Sequence, residues 1–165
     1  MAHETHSGGC QCGAVRFRVR GTPGESSACY CRMCQKASAG HALVLVSVRG
    51  NEVEWTRGAP SWFASSNHAR RAFCNQCGTP LGYEAPDGLA LSVIAFDDPS
   101  RFAPVIAYGV EGKQPWADSI PQLPEHHTMD DAEAAPFLAT LVSHQHPDHD
   151  TETWPPEGGP SEGAK

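Results

Sequence analysis

Between Ala14 and Arg20 apolar and charged side chains alternate without a break, Val15, Phe17 and Val19 on one side and Arg16, Arg18 and Arg20 on the other. A period of two is that of a half-buried β-strand, and Gly21-Thr22-Pro23-Gly24 closes it. Ala42-Leu43-Val44-Leu45-Val46 is a short apolar run ended by Arg49-Gly50-Asn51, after which Glu52-Val53-Glu54-Trp55-Thr56 alternates again, so a hairpin is expected there. Further short strands are expected at Trp62-Phe63-Ala64, Arg71-Ala72-Phe73, Leu81-Gly82-Tyr83, Leu89 to Phe96 and Val105 to Tyr108, each bounded by Gly, Pro, Asn or Asp. The pattern predicts a mainly β, single compact domain of short antiparallel strands.

Only one longer helix is expected, at about residues 136–143. Pro136 suits a first helical position, and Phe137, Leu138, Leu141 and Val142 share one face. Residues 1–7 are expected to be an N-terminal tail, residues 8–124 the folded domain, and residues 125–165 an acidic, His-rich extension. Thr151 to Lys165 is rich in Pro, Gly, Glu and Thr with Trp154 as its one large apolar group, so a flexible end is expected.

Charge changes this picture only after it is divided along the chain. The net charge of the 165 residues is -7, yet Gly8 to Pro124 holds eleven Lys and Arg against nine Asp and Glu, whereas Glu125 to Lys165 holds nine acids and the single base Lys165. The acidity belongs to the extension. Basic residues in the front half lack the clustering of a duplex reader, so solvated strand faces and no nucleic-acid partner are expected. Residues 1–9 lack the basic head and apolar stretch of a signal peptide, and no run of eighteen apolar residues occurs. No membrane partner is therefore expected, and a cytoplasmic, reducing location is, in which cysteines serve as thiols or metal ligands rather than disulfides.

All seven cysteines fall into three clusters: Cys10-Gln11-Cys12, Cys29-Tyr30-Cys31-Arg32-Met33-Cys34 and Cys74-Asn75-Gln76-Cys77. Cys-x2-Cys knuckles converge two thiolates on one ion, and Cys-x-Cys does the same from a strand end. Two pairs make a closed four-thiolate zinc site, and a triplet makes three ligands with one coordination position open. Spacing does not decide the pairing. Cys29, Cys31 and Cys34 are locally complete as three ligands, which leaves Cys10, Cys12, Cys74 and Cys77 to staple distant parts of the chain; His41 is the nearest candidate to close the triplet. His68, ahead of a strand, reads as a surface histidine. The run His144-Gln145-His146-Pro147-Asp148-His149 is similar to a metallo-β-lactamase-type motif, but with so little chain after it a solvated His-rich tail is expected.

The segments Gly8-Gly9-Cys10-Gln11-Cys12-Gly13-Ala14-Val15, Cys29 to Cys34, and Phe73-Cys74-Asn75-Gln76-Cys77-Gly78-Thr79-Pro80-Leu81, in this order, resemble the glutathione-dependent formaldehyde-activating enzyme family, which includes the centromere protein V type domain. The resemblance spans roughly Gly8 to Pro124. It implies a zinc-stapled β domain of the β-tent type, with a structural zinc on Cys10, Cys12, Cys74 and Cys77 and a second, catalytic zinc on Cys29, Cys31 and Cys34. It also implies carbon-sulfur lyase chemistry in which glutathione or another small thiol adds to, or leaves, a small aldehyde. The alternative is a non-catalytic zinc-stabilised binding module of the centromere protein V type. Arg32 and Lys36, beside the triplet, are candidates to hold a carboxylate of the thiol through charge-assisted hydrogen bonds.

Overall fold

The computed structural model describes residues 4–128, 130 and 135–155. Ten strands and one short α-helix follow one another as β1 (Thr5–Gly9), β2 (Arg16–Arg20), β3 (Ser26–Cys29), α1 (Arg32–Ser38), β4 (Leu43–Ser47), β5 (Glu52–Arg57), β6 (Ser61–Ala64), β7 (Arg70–Phe73), β8 (Pro80–Ala85), β9 (Gly88–Ser92) and β10 (Ile106–Tyr108). They form a three-stranded sheet in the order β1-β2-β5 and a seven-stranded sheet in the order β10-β3-β4-β9-β8-β7-β6. All pairings are antiparallel except that of β10 with β3. The mainly β expectation is borne out.

One core joins the two sheets. Phe17 and Val19 of β2 pack with Val46 of β4, Ala72 of β7, Leu81 of β8 and Leu91 of β9, all at most 1% exposed. Phe17 meets the rings of Phe96 and Trp55 edge-on at 5.0 and 5.9 Å, the geometry that aromatic quadrupoles favour. The alternation of β2 is thus spent on burying Phe17 and Val19 against the other sheet.

The expected hairpin between the Ala42 and Glu52 segments does not form, because β4 and β5 lie in different sheets. The charges explain the choice of β5. In its register Arg18 faces Glu54 and Arg20 faces Glu52, with ion pairs at 3.8 Å each, so β5 matches β2 in charge as well as in alternation. The Arg49-Gly50-Asn51 turn instead carries the chain from one sheet to the other. The strand expected from Leu89 to Phe96 ends at Ser92, and Val93–Ala95 forms a single 3-10 turn.

Residues 1–7 are not simply a tail, since β1 begins at Thr5 and pairs with β2 along its whole length. Its sequence, Thr-His-Ser-Gly-Gly, has no apolar alternation; backbone pairing and the packing of buried His6 against Phe102 hold it. The helix expected at 136–143 is only a 3-10 turn, Pro136–Thr140. Phe137, Leu141 and Val142 stay exposed. The apolar stripe has no surface to bury against, and so little else favours a short helix.

The extension also departs from the solvated, flexible end expected of it. His146 donates its backbone N–H to the Gln11 carbonyl at 2.7 Å and is buried. Asp150 accepts from Arg16 at 2.8 Å, and the Trp154 Nε1 donates to the Cys12 carbonyl at 2.7 Å. Arg16, expected on a solvated face, is 2% exposed because Asp97 and Asp150 enclose it. Burial opposes ionisation of Asp150, but the Arg16 and Arg18 guanidiniums prevail and hold its carboxyl below the usual range. Residues 156–165 lie outside the described residues. Because Trp154 packs on the main core, Trp154→Ala should cost roughly 2 kcal/mol, or about 4–8 °C in Tm for a chain of this size. Thermal melts followed by circular dichroism check this, and an unchanged Tm would mean that the strap contributes no stability.

Candidate metal centres

The Sγ atoms of Cys10, Cys12, Cys74 and Cys77 all lie within 4.8 Å of one another, as do those of Cys29, Cys31 and Cys34. Spacing had left the pairing open, and the fold settles which cysteines come together. In the first group Cys10 and Cys12 leave the end of β1 in a tight turn, closed by the Gly13 N–H on the Cys10 carbonyl at 3.0 Å. Cys74 and Cys77 follow β7 in a second turn, closed by the Gly78 N–H on the Cys74 carbonyl at 2.9 Å. Thr79 links the knuckles: its Oγ1 accepts from the Gln11 N–H at 3.0 Å and lies 3.1 Å from the Cys77 Sγ.

Backbone amides point at these sulfurs, from Val15 to Cys10 at 3.2 Å and from Gln76 to Cys74 at 3.4 Å. Such donors suit thiolates. Cys10 is pushed up first by its hydrogen bond with Cys77 and then by burial, while Cys77 is lowered to about 3 by that same bond and by Thr79. Burial also raises Cys12, to about 11, so in the metal-free cluster the negative charge gathers on Cys77. The Cys10 and Cys12 sulfurs are 3.6 Å apart and the Cys12 and Cys74 sulfurs 3.9 Å. A tetrahedron with arms of about 2.3 Å has edges of roughly 3.8 Å, so the donor set fits a zinc ion.

This group is covered in part: Cys10 and Cys74 are buried, Cys12 and Cys77 half-buried. Cys10 and Cys74 sit in the core, and the strap formed by His146 and Trp154 covers the first knuckle. Gly13 makes the strap possible, since with φ +78° a Cβ there would stand 2.1 Å from the His146 ring. The His-rich run thus uses His146 as a packing residue.

The triplet is built differently. Cys29 ends β3, Cys31 caps α1 in an extended conformation, and Cys34 lies within the helix on its buried face. Gln35 ties α1 down, donating from Nε2 to the carbonyls of Gly112 at 2.9 Å and His41 at 3.3 Å. The loop after β10 backs Cys31 so closely that Gly109, at φ +61°, would bring a Cβ within 2.8 Å of the Cys31 Cβ. Burial raises the Cys29 thiol to about 12. For Cys31 burial acts against the thiolate, but the Cys34 and Met33 amides and its two neighbouring thiols outweigh it and lower the thiol.

No fourth His, Cys, Asp or Glu among the described residues joins this group. His41 is exposed and faces the rings of Tyr30 and Trp116 at 6.2 and 6.3 Å instead. The three cysteines line a cavity of about 530 Å³ together with Leu45, Ser65, Arg71, Tyr83 and Ala90, among others. A concave, mainly apolar space of this size with a few polar groups is that of a small-molecule site.

Arg32 and Lys36 are not brought to that cavity. Both are exposed, Arg32 bonding Gln35 Oε1 at 3.3 Å; they border one hollow near Gln114 and Trp116 and another, next to the cavity, shared with Met33, Ser65 and Arg71. A short helix that buries Cys34 and Gln35 must turn positions 32 and 36 away. Two cations do line the cavity: Arg49 at its exposed rim, and Arg71, 8% exposed, which the sequence shows only as the start of a strand. A usable signal was present: adjacent Arg70 and Arg71 in one strand face opposite ways, so one of them had to point inward. His68 is exposed, as expected, and among the described residues no helix is long and apolar enough to cross a membrane.

The sequence profile of the family described as "Glutathione-dependent formaldehyde-activating enzyme" matches residues 5–111. That span is well over half of the chain, runs from β1 to the loop behind Cys31 and contains all seven cysteines. The chain belongs to the glutathione-dependent formaldehyde-activating enzyme family.

Proposed function

We propose that the protein is a zinc-dependent carbon-sulfur lyase of the glutathione-dependent formaldehyde-activating type, joining a small thiol to a small aldehyde or releasing it. The observation that carries this is the asymmetry of the two cysteine groups: four sulfurs, two of them buried in the core, with the strap over the first knuckle, against three sulfurs lining a cavity of about 530 Å³. Cys10, Cys12, Cys74 and Cys77 would hold a structural zinc, and Cys29, Cys31 and Cys34 a second one. A zinc ion with three protein ligands supplies a Lewis-acidic open position, at which an incoming thiol loses its proton near neutral pH.

In the forward direction a carbon-sulfur bond forms between thiol and aldehyde carbon, and the proton given up by the thiol ends on the former carbonyl oxygen. The reverse breaks that bond and restores both. The chain's part is placement. The walls from Leu45, Leu89, Ala90 and Ile106 keep both reactants beside the cysteines. Burial raises the Tyr83 hydroxyl above its ordinary range, against the opposing charge of Arg71, so at neutral pH it lines the cavity as a protonated donor for an oxygen that gains negative charge.

Glutathione and formaldehyde are the first pair to test. With ¹³C-labelled formaldehyde, exchange between the aldehyde hydrate and the S-hydroxymethyl adduct should be accelerated by the zinc-loaded protein in NMR exchange spectra. No acceleration with this pair or with other small thiols and aldehydes would favour a non-catalytic binding module.

A further inference from the structure

We propose that Arg71 selects the ligand of this cavity, and that the ligand is a thiol whose carboxylate lies only a few bonds from its sulfur. The proposal rests on the three-cysteine group being the thiol site. Arg71 comes from β7, where strand alternation sends Arg70 outward to pair with Glu84 and to cover Trp62, and Arg71 inward. Its Nη2 donates to the Cys34 Sγ at 3.4 Å, and its guanidinium stands 5.1 Å from the centre of the Tyr83 ring. Nε and Nη1 have no acceptor.

The same chain shows what a buried arginine ordinarily requires. Arg16, comparably buried, is enclosed by two carboxylates, Asp97 and Asp150. Arg71 has none among the described residues, although a guanidinium cannot shed its charge. Thiolates of the triplet offset part of that charge through Cys34. Two unpaired nitrogens remain, shielded from solvent, on a side chain that itself lines the cavity, and a turn of the guanidinium toward a ligand anion there would satisfy them. Of the two carboxylates in the lining, Asp87 is engaged at the surface by Arg49 at 3.4 Å and Glu25 is exposed, and neither pairs with Arg71.

Distance sets the class of ligand. Because the guanidinium touches Cys34, an anion resting on it stands directly beside the cysteine sulfurs. A carboxylate occupies that place while its own sulfur reaches the triplet with the least folding of the ligand when the two are close neighbours in the molecule. Mercaptoacetate has this form. 2-Mercaptoethanol is its uncharged counterpart, with a hydroxyl in place of the carboxylate.

Isothermal titration calorimetry on the zinc-loaded full chain separates the two. Mercaptoacetate should bind about tenfold or more tightly than 2-mercaptoethanol, as expected for a hydrogen bond to a charged group. Arg71→Met should remove this preference, so that the two thiols bind within about twofold of each other whatever their common affinity, and Arg71→Lys, which keeps charge without the planar fork, should retain part of it. Equal binding of both thiols by the wild-type protein overturns the role of Arg71 but leaves the open thiol site standing, because 2-mercaptoethanol still binds. Binding of neither thiol removes both. Should Arg71→Met fail to fold, the wild-type ratio and Arg71→Lys decide the matter.

Discussion

Cys10→Ser is expected to lower the Tm by about 10 °C or more, whereas Cys31→Ser should leave it within a few degrees of wild type. The two variants delete the same atom type, so their difference reports the two sites. Cys10 is buried with Cys74 in the main core, and its group joins the end of β1 to the turn after β7, positions more than sixty residues apart. Binding energy at such a site is folding energy, of order 10 kcal/mol for a structural zinc, against a total stability of about 5–15 kcal/mol for a domain. Losing even a few kcal/mol of it moves the melt by the amount stated. Cys31 is half-buried at the start of a seven-residue helix that Gln35 anchors independently. Melts of both variants followed by circular dichroism test the contrast, and equal destabilisation would show that both groups are structural.

Cys31→Ser should nevertheless abolish thiol-aldehyde exchange, by about a hundredfold or more, and lower the zinc content from two per chain to one. Loss of even an outer partner of a bound metal costs 10–100-fold, and here one of only three protein ligands is removed. Cys31 is also the member of the triplet whose thiol is lowered, so it is the natural first anchor for a cation. The NMR exchange assay and elemental analysis of the purified variant check the two halves. A variant that keeps full exchange with one zinc per chain would place the chemistry elsewhere.

Much of the sheet architecture is legible in the alternation of β2 and β5, which each bury one side against the main core, and in the apolar run of β4, which buries both sides, Val44 and Val46 on that core and Leu43 and Leu45 beside the three-cysteine group. The partition into two sheets is not legible, since it depends on Arg18 and Arg20 finding Glu54 and Glu52 across a register that no local pattern encodes. β1 and β3 escape notice for a related reason: Thr-His-Ser-Gly-Gly and Ser-Ser-Ala-Cys have no apolar period, and neighbouring strands impose their form. Cys clusters announce the two groups, yet only the fold shows that β1 and β7 end side by side.

Composition misleads at the C-terminal end. A Pro- and Glu-rich segment looks unable to pack, but His146, Asp150 and Trp154 each meet a specific partner in Gln11, Arg16 and Cys12. The same blindness hides Arg71 and promotes Arg32 and Lys36. Proximity in sequence to Cys31 favours the latter two, whereas the helix turns them outward and a strand forty residues on supplies the inward cation.

Cobalt(II) substitution followed by thiol titration tests most directly whether the triplet has a position open to the cavity. The visible ligand-field bands and sulfur-to-cobalt charge transfer of the triplet site should change saturably on adding a small thiol to the wild-type protein. In Cys31→Ser, which retains only the four-cysteine site, they should not respond. A wild-type spectrum that no thiol perturbs, with both sites already tetrahedral and fully ligated by the chain, would contradict the open site and with it the lyase function.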